Sequence, residues 1–304
     1  MALSARFLSL SRVSLPLILV FLAAFIYAVG ALLVKRSAEL GVGAWRTAFV
    51  ANVVTALLFQ PLLLLGGEFH PHLWWQPALV ALLFVAGQWL TFISLDRGDV
   101  SVATPVLGIK ILLVAGLVSL VTGDALRWRL WVAAVLATIA IALLNRGGGH
   151  ARHHHVRRTI VTAFLAAAAY ALFDVLVQTW APLWGLGRFL PVTMALSGLF
   201  SLAFVPLFRV PLRALPRATW LWLLGGTLAF ALQALLFVST IAKWGQATSA
   251  NVVYSSRGLW SVLLVWLCGH WVSSREQQLG GRVLAWRLAG AGLMMSAIVL
   301  VLVE

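Results

Sequence analysis

Charge is scarce in this sequence of 304 residues: Asp, Glu, Lys and Arg together make up 10% of it, against roughly 25% in a soluble globular domain. That is too little polar side chain to cover a water-soluble surface of this size, which excludes a soluble enzyme. A hydrophobic content of 62% excludes a disordered chain. Cysteine is nearly absent too. The single Cys268 lies in an apolar run, so no intrachain disulfide forms and redox chemistry has no basis. No Ser/His/Asp set, phosphate-cradling glycine loop or pair of intramembrane carboxylates occurs, so no catalytic residue, metal or cofactor is expected. Acidic residues are few, 8 against 22 basic, for a net charge of +14. The excess does not point to nucleic acid, because the basic residues sit mostly in short breaks between apolar runs and form no stripe with stacking aromatics.

What the chain has in abundance is long apolar runs, with a mean hydropathy of +1.00. A helix needs about 20 mostly apolar residues to cross the hydrocarbon core. Ten runs qualify: 15–34, 44–65, 77–95, 101–121 and 130–144, then 160–180, 190–208, 220–241, 247–271 and 283–303. Lipid cannot satisfy free backbone groups, and these runs lack the alternation of a barrel strand, so the expected class is an all-α integral membrane protein. Tryptophans such as Trp45, Trp74, Trp128, Trp180, Trp220 and Trp286 fall near span ends, where an amphipathic ring prefers the interface. Arg6 and Arg12 before the first span, with Ala28-Val29-Gly30 as a cleavage-like triplet, raise a signal peptide as an alternative. The internal repeat argues that the first span is retained.

Residues 21–28 (Phe-Leu-Ala-Ala-Phe-Ile-Tyr-Ala) match residues 164–171 (Phe-Leu-Ala-Ala-Ala-Ala-Tyr-Ala) at an offset of 143. Gly41 and Gly43 meet Gly185 and Gly187 at 144, Pro61 meets Pro206 and Gln88 meets Gln233 at 145, and Gly98 meets Gly245 at 147. The slow drift falls in or near the breaks between spans. The chain therefore divides into a five-helix repeat over 1–144, a basic linker over 145–158 and a second repeat over 159–304. Five is odd, so the halves are inverted in the membrane. Inverted repeats mark secondary transporters, with the substrate at the midplane between halves.

The stretch Gly98-Asp-Val-Ser-Val-Ala-Thr-Pro105 leading into the fourth span and Gly245-Gln-Ala-Thr-Ser-Ala-Asn251 leading into the ninth resemble the drug/metabolite transporter superfamily, specifically its ten-helix EamA-type members. Gly123-Asp124 and Glu276 stand roughly where that family often has a Gly-Glu pair. The resemblance spans nearly the whole chain and implies the fold and transport. It names no substrate, since members move amino acids, metabolites, nucleotide sugars and sugar phosphates.

Three ionisable side chains lie deep within spans: Lys110, Asp174 and Arg257. Lys110 is 11 residues after Asp99 and 14 before Asp124, roughly 16 and 21 Å along a helix. Such a charge costs about 2.5–3.5 kcal/mol on an insertion scale. The separation of Lys110 and Arg257 is 257 − 110 = 147, the offset of Gly98 and Gly245, which makes them mates on helices four and nine. Two cations facing one cavity repel unless an anion lies between them. Asp174 neutralises one, and the remainder suits a carboxylate or phosphate, with Arg257 as a two-pronged grip and Lys110 as a point charge. The competing reading is a buried Lys110–Asp174 or Arg257–Asp174 pair that only locks helices. The resemblance favours the first: sugar-phosphate members carry basic residues on these two helices, and this chain departs at Lys110 and Arg257 from exporters that lack them. Asp174 is then a counter-charge or a proton-linked group. Gln88 and Gln233, Tyr27 and Tyr170, and Asn251 and Tyr254 near Arg257 are candidates to line the site, the alternative being interhelical hydrogen bonds.

The linker holds His150, His153 and His154 in a His-x-x-His-His arrangement that resembles one histidine box of membrane desaturases. That chemistry needs further boxes, and His70, His72 and His270 form none, so a solvated basic loop is the better reading. By the positive-inside rule, 14 basic residues on the linker side against 6 on the terminal side put both termini outside the cytoplasm, whereas the family resemblance implies termini inside. The expectation is thus a multi-pass transporter of the inner or plasma membrane that carries a small anionic or zwitterionic metabolite by alternating access. Its partners are the substrate and the bilayer, and a homodimer is compatible with them. The alternatives are a neutral amino-acid or drug exporter and, from another class, a lipid-modifying membrane enzyme.

Overall fold

The computed structural model describes residues 15–96, 100–123, 126–144, 156–268 and 281–303. Among them there is no strand, and ten helical spans follow one another: α1 Leu15–Glu39, α2 Ala44–Phe59, α3 Trp75–Asp96, α4a Val100–Gly108 with α4b Lys110–Thr122, α5 Trp128–Leu144, α6 Val156–Trp184, α7 Leu186–Phe200, α8 Arg217–Trp244, α9a Ala247–Tyr254 with α9b Arg257–Cys268, and α10 Gly281–Leu302. The ends of α2 and α7 tighten into 3₁₀ turns, Gln60–Leu65 and Ser201–Leu207. Pro61 and Pro206 cause this at matched places, since neither has an N–H to continue the α ladder. Eight spans are long and apolar enough to cross a membrane. The other two are α5, at 17 residues, and the broken ninth. The protein is an all-α, multi-pass membrane protein.

The packing repeats itself. Helix α1 runs along α8 as α6 runs along α3; α2 packs on α8 as α7 packs on α3; α9 packs on α1 as α4 packs on α6. The pairs α2–α7 and α5–α10 map onto themselves. Exchanging the first five helices for the last five maps each of these contacts onto another, as two inverted five-helix repeats require, whereas the α6–α8 contact has no equally close α1–α3 counterpart. Close approach is made by small residues: a Cβ on Gly226 of α8 would stand 2.7 Å from Val34 of α1.

The two ends interlock. At one, the α2–α3 loop lies on the α6–α7 turn: Glu68 N donates to Trp184 O (2.9 Å), and Trp184 Nε1 donates to Gln76 Oε1 (2.9 Å). Gly67, at φ +130°, sits so close that a Cβ would reach Trp184 O at 2.4 Å. At the other end, the α1–α2 turn at Val42 is covered by Leu212, Leu215, Trp220 and Leu223 from the α7–α8 loop and the start of α8. Each half thus caps the first turn of the other.

Candidate functional site

Both halves break one helix at the middle of the molecule. In the fourth span Pro105 has no N–H to donate, and the turn tightens so that Ile109 N donates to Val106 O (3.1 Å). In the ninth, Ser255 and Ser256 stand between α9a and α9b, and Ser255 Oγ donates to Val252 O (2.5 Å), competing with the backbone ladder. Lys110 is the first residue of α4b and Arg257 the first residue of α9b. The two cations expected to be mates therefore begin matching half-helices, at the positive end of each dipole.

Asp174, 1% exposed on α6, receives Lys110 Nζ at 2.7 Å and Asn251 Nδ2 at 2.6 Å on the same oxygen, Oδ2. Asn251 Nδ2 also donates to Ala247 O (2.9 Å), which holds the amide in place. The Lys110 ammonium lies 5.8 Å from the Tyr170 ring centre and 5.5 Å from that of Phe237, within reach of cation–π attraction. One turn on along α6, Gln178 Oε1 accepts from Ala247 N (2.9 Å), so α6 and α9a are joined at two successive turns.

Arg257 has a different environment. Among the described residues no carboxylate lies within 4.0 Å of it. Its guanidinium carbon is 4.8 Å from the ring centres of both Tyr27 and Tyr254. Those centres are 6.0 Å apart and the rings meet at 73°, so they form a corner around the guanidinium, which also donates to the Tyr254 hydroxyl. Tyr27 stacks on Phe230 (5.2 Å), while Tyr254 packs on Phe237 (4.4 Å) and donates its hydroxyl to Gln233 Oε1 (2.6 Å).

The structure brings together Lys110, Asp174, Asn251, Arg257, Tyr27, Tyr170, Tyr254 and Gln233. The chain contains three tyrosines in all, and each has its ring against one of the two cations. Gln88 is placed differently. It exchanges two hydrogen bonds with Asn52 of α2 (2.8 and 2.9 Å), a closed amide pair between α2 and α3. Sequence reasoning missed Phe230, Phe237, Gln178 and both helix breaks. Pro105 and the Ser255-Ser256 pair carried a signal for the breaks; the aromatic walls and Gln178 carried none. Gly98, Asp124, Glu276, His270 and the His150–His154 run lie outside the described residues. Among the described residues no group of three or more His, Cys, Asp or Glu could hold a metal ion.

Residues 14–146 match the family model described as EamA-like transporter family. Over this stretch, which covers the first five helices, the chain is similar to the EamA-like transporters. The family lies within the drug/metabolite transporter superfamily, in agreement with the resemblance carried by the stretch before the fourth span. No curated protein matches the chain in sequence. Among solved structures 29 chains are similar. One, described only as a crystal structure of a protein, superposes with a TM-score of 0.70 at 15% identity, covering 94% of this chain and 95% of its own. At that identity the likeness shows the fold.

Proposed function

We propose that this EamA-like chain is a secondary transporter of the inner or plasma membrane that carries a small anionic or zwitterionic metabolite by alternating access. The two five-helix units rock against each other, joined by the linker, whose last residues, 156–158, are already the first turn of α6. The observation that carries the reading is Arg257: a half-buried guanidinium at a half-helix start, cornered by two tyrosine rings, with no carboxylate within 4.0 Å among the described residues. A cation without a carboxylate beside it at mid-membrane is costly, and a substrate anion on the guanidinium removes that cost in a two-pronged geometry. Lys110, Asp174 and Asn251 form the opposite wall, with Tyr27, Tyr170, Tyr254 and Gln233 as lining. The linker side, with its larger share of basic residues, faces the cytoplasm in this reading and leaves the termini outside.

The test is exchange in liposomes preloaded with a panel of metabolite carboxylates and phosphoesters. Uptake by the wild type that is lost in Arg257→Ala, with the variant still monodisperse, supports the anion grip. Undiminished uptake by Arg257→Ala refutes it.

A further inference from the structure

We infer that the site is built for a substrate carrying one negative charge, a carboxylate in preference to a dianionic phosphate, and that Asp174 sets this number. The inference rests on the anion-transport reading and narrows it.

Three formal charges occupy the middle of the spans. Two of them cancel: Lys110 Nζ and Asp174 Oδ2 are 2.7 Å apart, with the carboxylate 1% exposed. Lys110 is held there from several sides, by Asp174, by the Tyr170 and Phe237 rings, and through the Asp174 oxygen that also takes Asn251. It is engaged and is not a second free grip. Arg257 alone carries charge without a carboxylate within 4.0 Å among the described residues, and the groups around it, Tyr27, Tyr254 and Gln233, are neutral.

The asymmetry is written in the repeat. The offset of 143 that pairs Tyr27 with Tyr170 puts Ala31 (174 − 143 = 31) in the place that Asp174 holds in the second half. Helix α6 supplies a carboxylate to Lys110; helix α1 has none at the matching place, its Glu39 lying at the far end of the helix beside Arg36. The site therefore carries a net charge of +1. A monoanion brings it to zero, whereas a dianion leaves one negative charge uncompensated in a medium of low dielectric, where that charge is expensive. A planar carboxylate also matches the edge of a guanidinium.

The test varies site charge and substrate charge together. Binding to purified protein in nanodiscs is followed by thermal shift with butyrate and pyruvate as monoanions, and succinate, malonate and inorganic phosphate as dianion-rich probes. Wild type is expected to be stabilised by monoanions at concentrations at least about tenfold below those needed for dianions. Asp174→Asn, which keeps the shape and raises the site to +2, should reverse that order. Lys110→Met with Asp174→Asn returns the site to +1 and should restore the monoanion preference; it keeps the test decisive if Asp174→Asn alone does not fold. A wild type that prefers dianions, or an order unchanged in Asp174→Asn, overturns the charge assignment, and loss of all binding in Arg257→Ala then leaves the anion grip standing. Binding of neither class, with Arg257→Ala indistinguishable from wild type, overturns both.

Discussion

Lys110 and Arg257 occupy the same place in opposite halves, each the first residue after a helix break, yet only Lys110 has a carboxylate beside it, Asp174 at 2.7 Å. Pseudo-symmetry in the backbone is thus combined with asymmetry in charge.

The ion pair should behave as a unit in stability. Removing one member leaves a buried charge alone, which costs about 3–5 kcal/mol, whereas removing both can be nearly neutral. Lys110→Met and Asp174→Asn are each expected to lower the melting temperature more than the double variant does. A double-mutant cycle from thermal unfolding in detergent checks this, and strictly additive losses would contradict the pairing.

Arg257→Lys keeps the charge and loses the fork. Uptake of an anion that depends on two-pronged recognition should fall by about 10-fold or more, with the loss in apparent affinity. Concentration-dependent uptake in liposomes measures it, and full activity of the lysine variant would show that charge alone suffices.

Tyr254 offers a ring against Arg257 and a hydroxyl that donates to Gln233 (2.6 Å) and accepts from Arg257. Tyr254→Phe removes the hydroxyl's bonds to Gln233 and Arg257 and keeps the ring, a loss of about 1 kcal/mol for each bond, and Gln233→Leu should cost little more once it is made. Tyr254→Leu also removes the ring and should weaken anion uptake beyond the phenylalanine variant. Equal uptake by the two variants would exclude the ring from the site.

Gln178 ties α6 to the start of α9a through Ala247 N. Gln178→Leu should loosen that end by about 1 kcal/mol, while Gln178→Glu keeps an acceptor oxygen and should not. Spin labels at the exposed Leu183 and Gln246, in a Cys268→Ser background, report the separation of these ends. The leucine variant is expected to gain a longer-distance population that the glutamate variant lacks.

Two glycines give a stability contrast. Gly41 has φ +87° and open space where a Cβ would go, so Gly41→Ala costs only backbone strain of about 1–2 kcal/mol. Gly67 has φ +130° and Trp184 O at 2.4 Å from the same atom, so Gly67→Ala must also break the loop contact and should be markedly worse. Comparable melting temperatures for the two variants would exclude the interlock between the α2–α3 loop and the α6–α7 turn as a source of stability.

Much of this protein is set along the chain itself. Runs long enough to span lipid can be satisfied only as helices, so ten spans were legible from hydropathy. The offsets of 143 to 147 made the two halves and the mating of Lys110 with Arg257 legible as well. Partnership was not legible, because it depends on which face each helix turns inward and on where its ladder breaks. Asp174 had either cation open to it in sequence, and packing of α6 against α4 decided for Lys110. Gln88 and Gln233 are mates by register, yet one closes an amide pair with Asn52 and the other receives Tyr254. Hydropathy acts residue by residue and survives in the sequence. An ion pair or a tyrosine corner needs atoms from distant helices within a few ångströms, and only the tertiary structure brings them there.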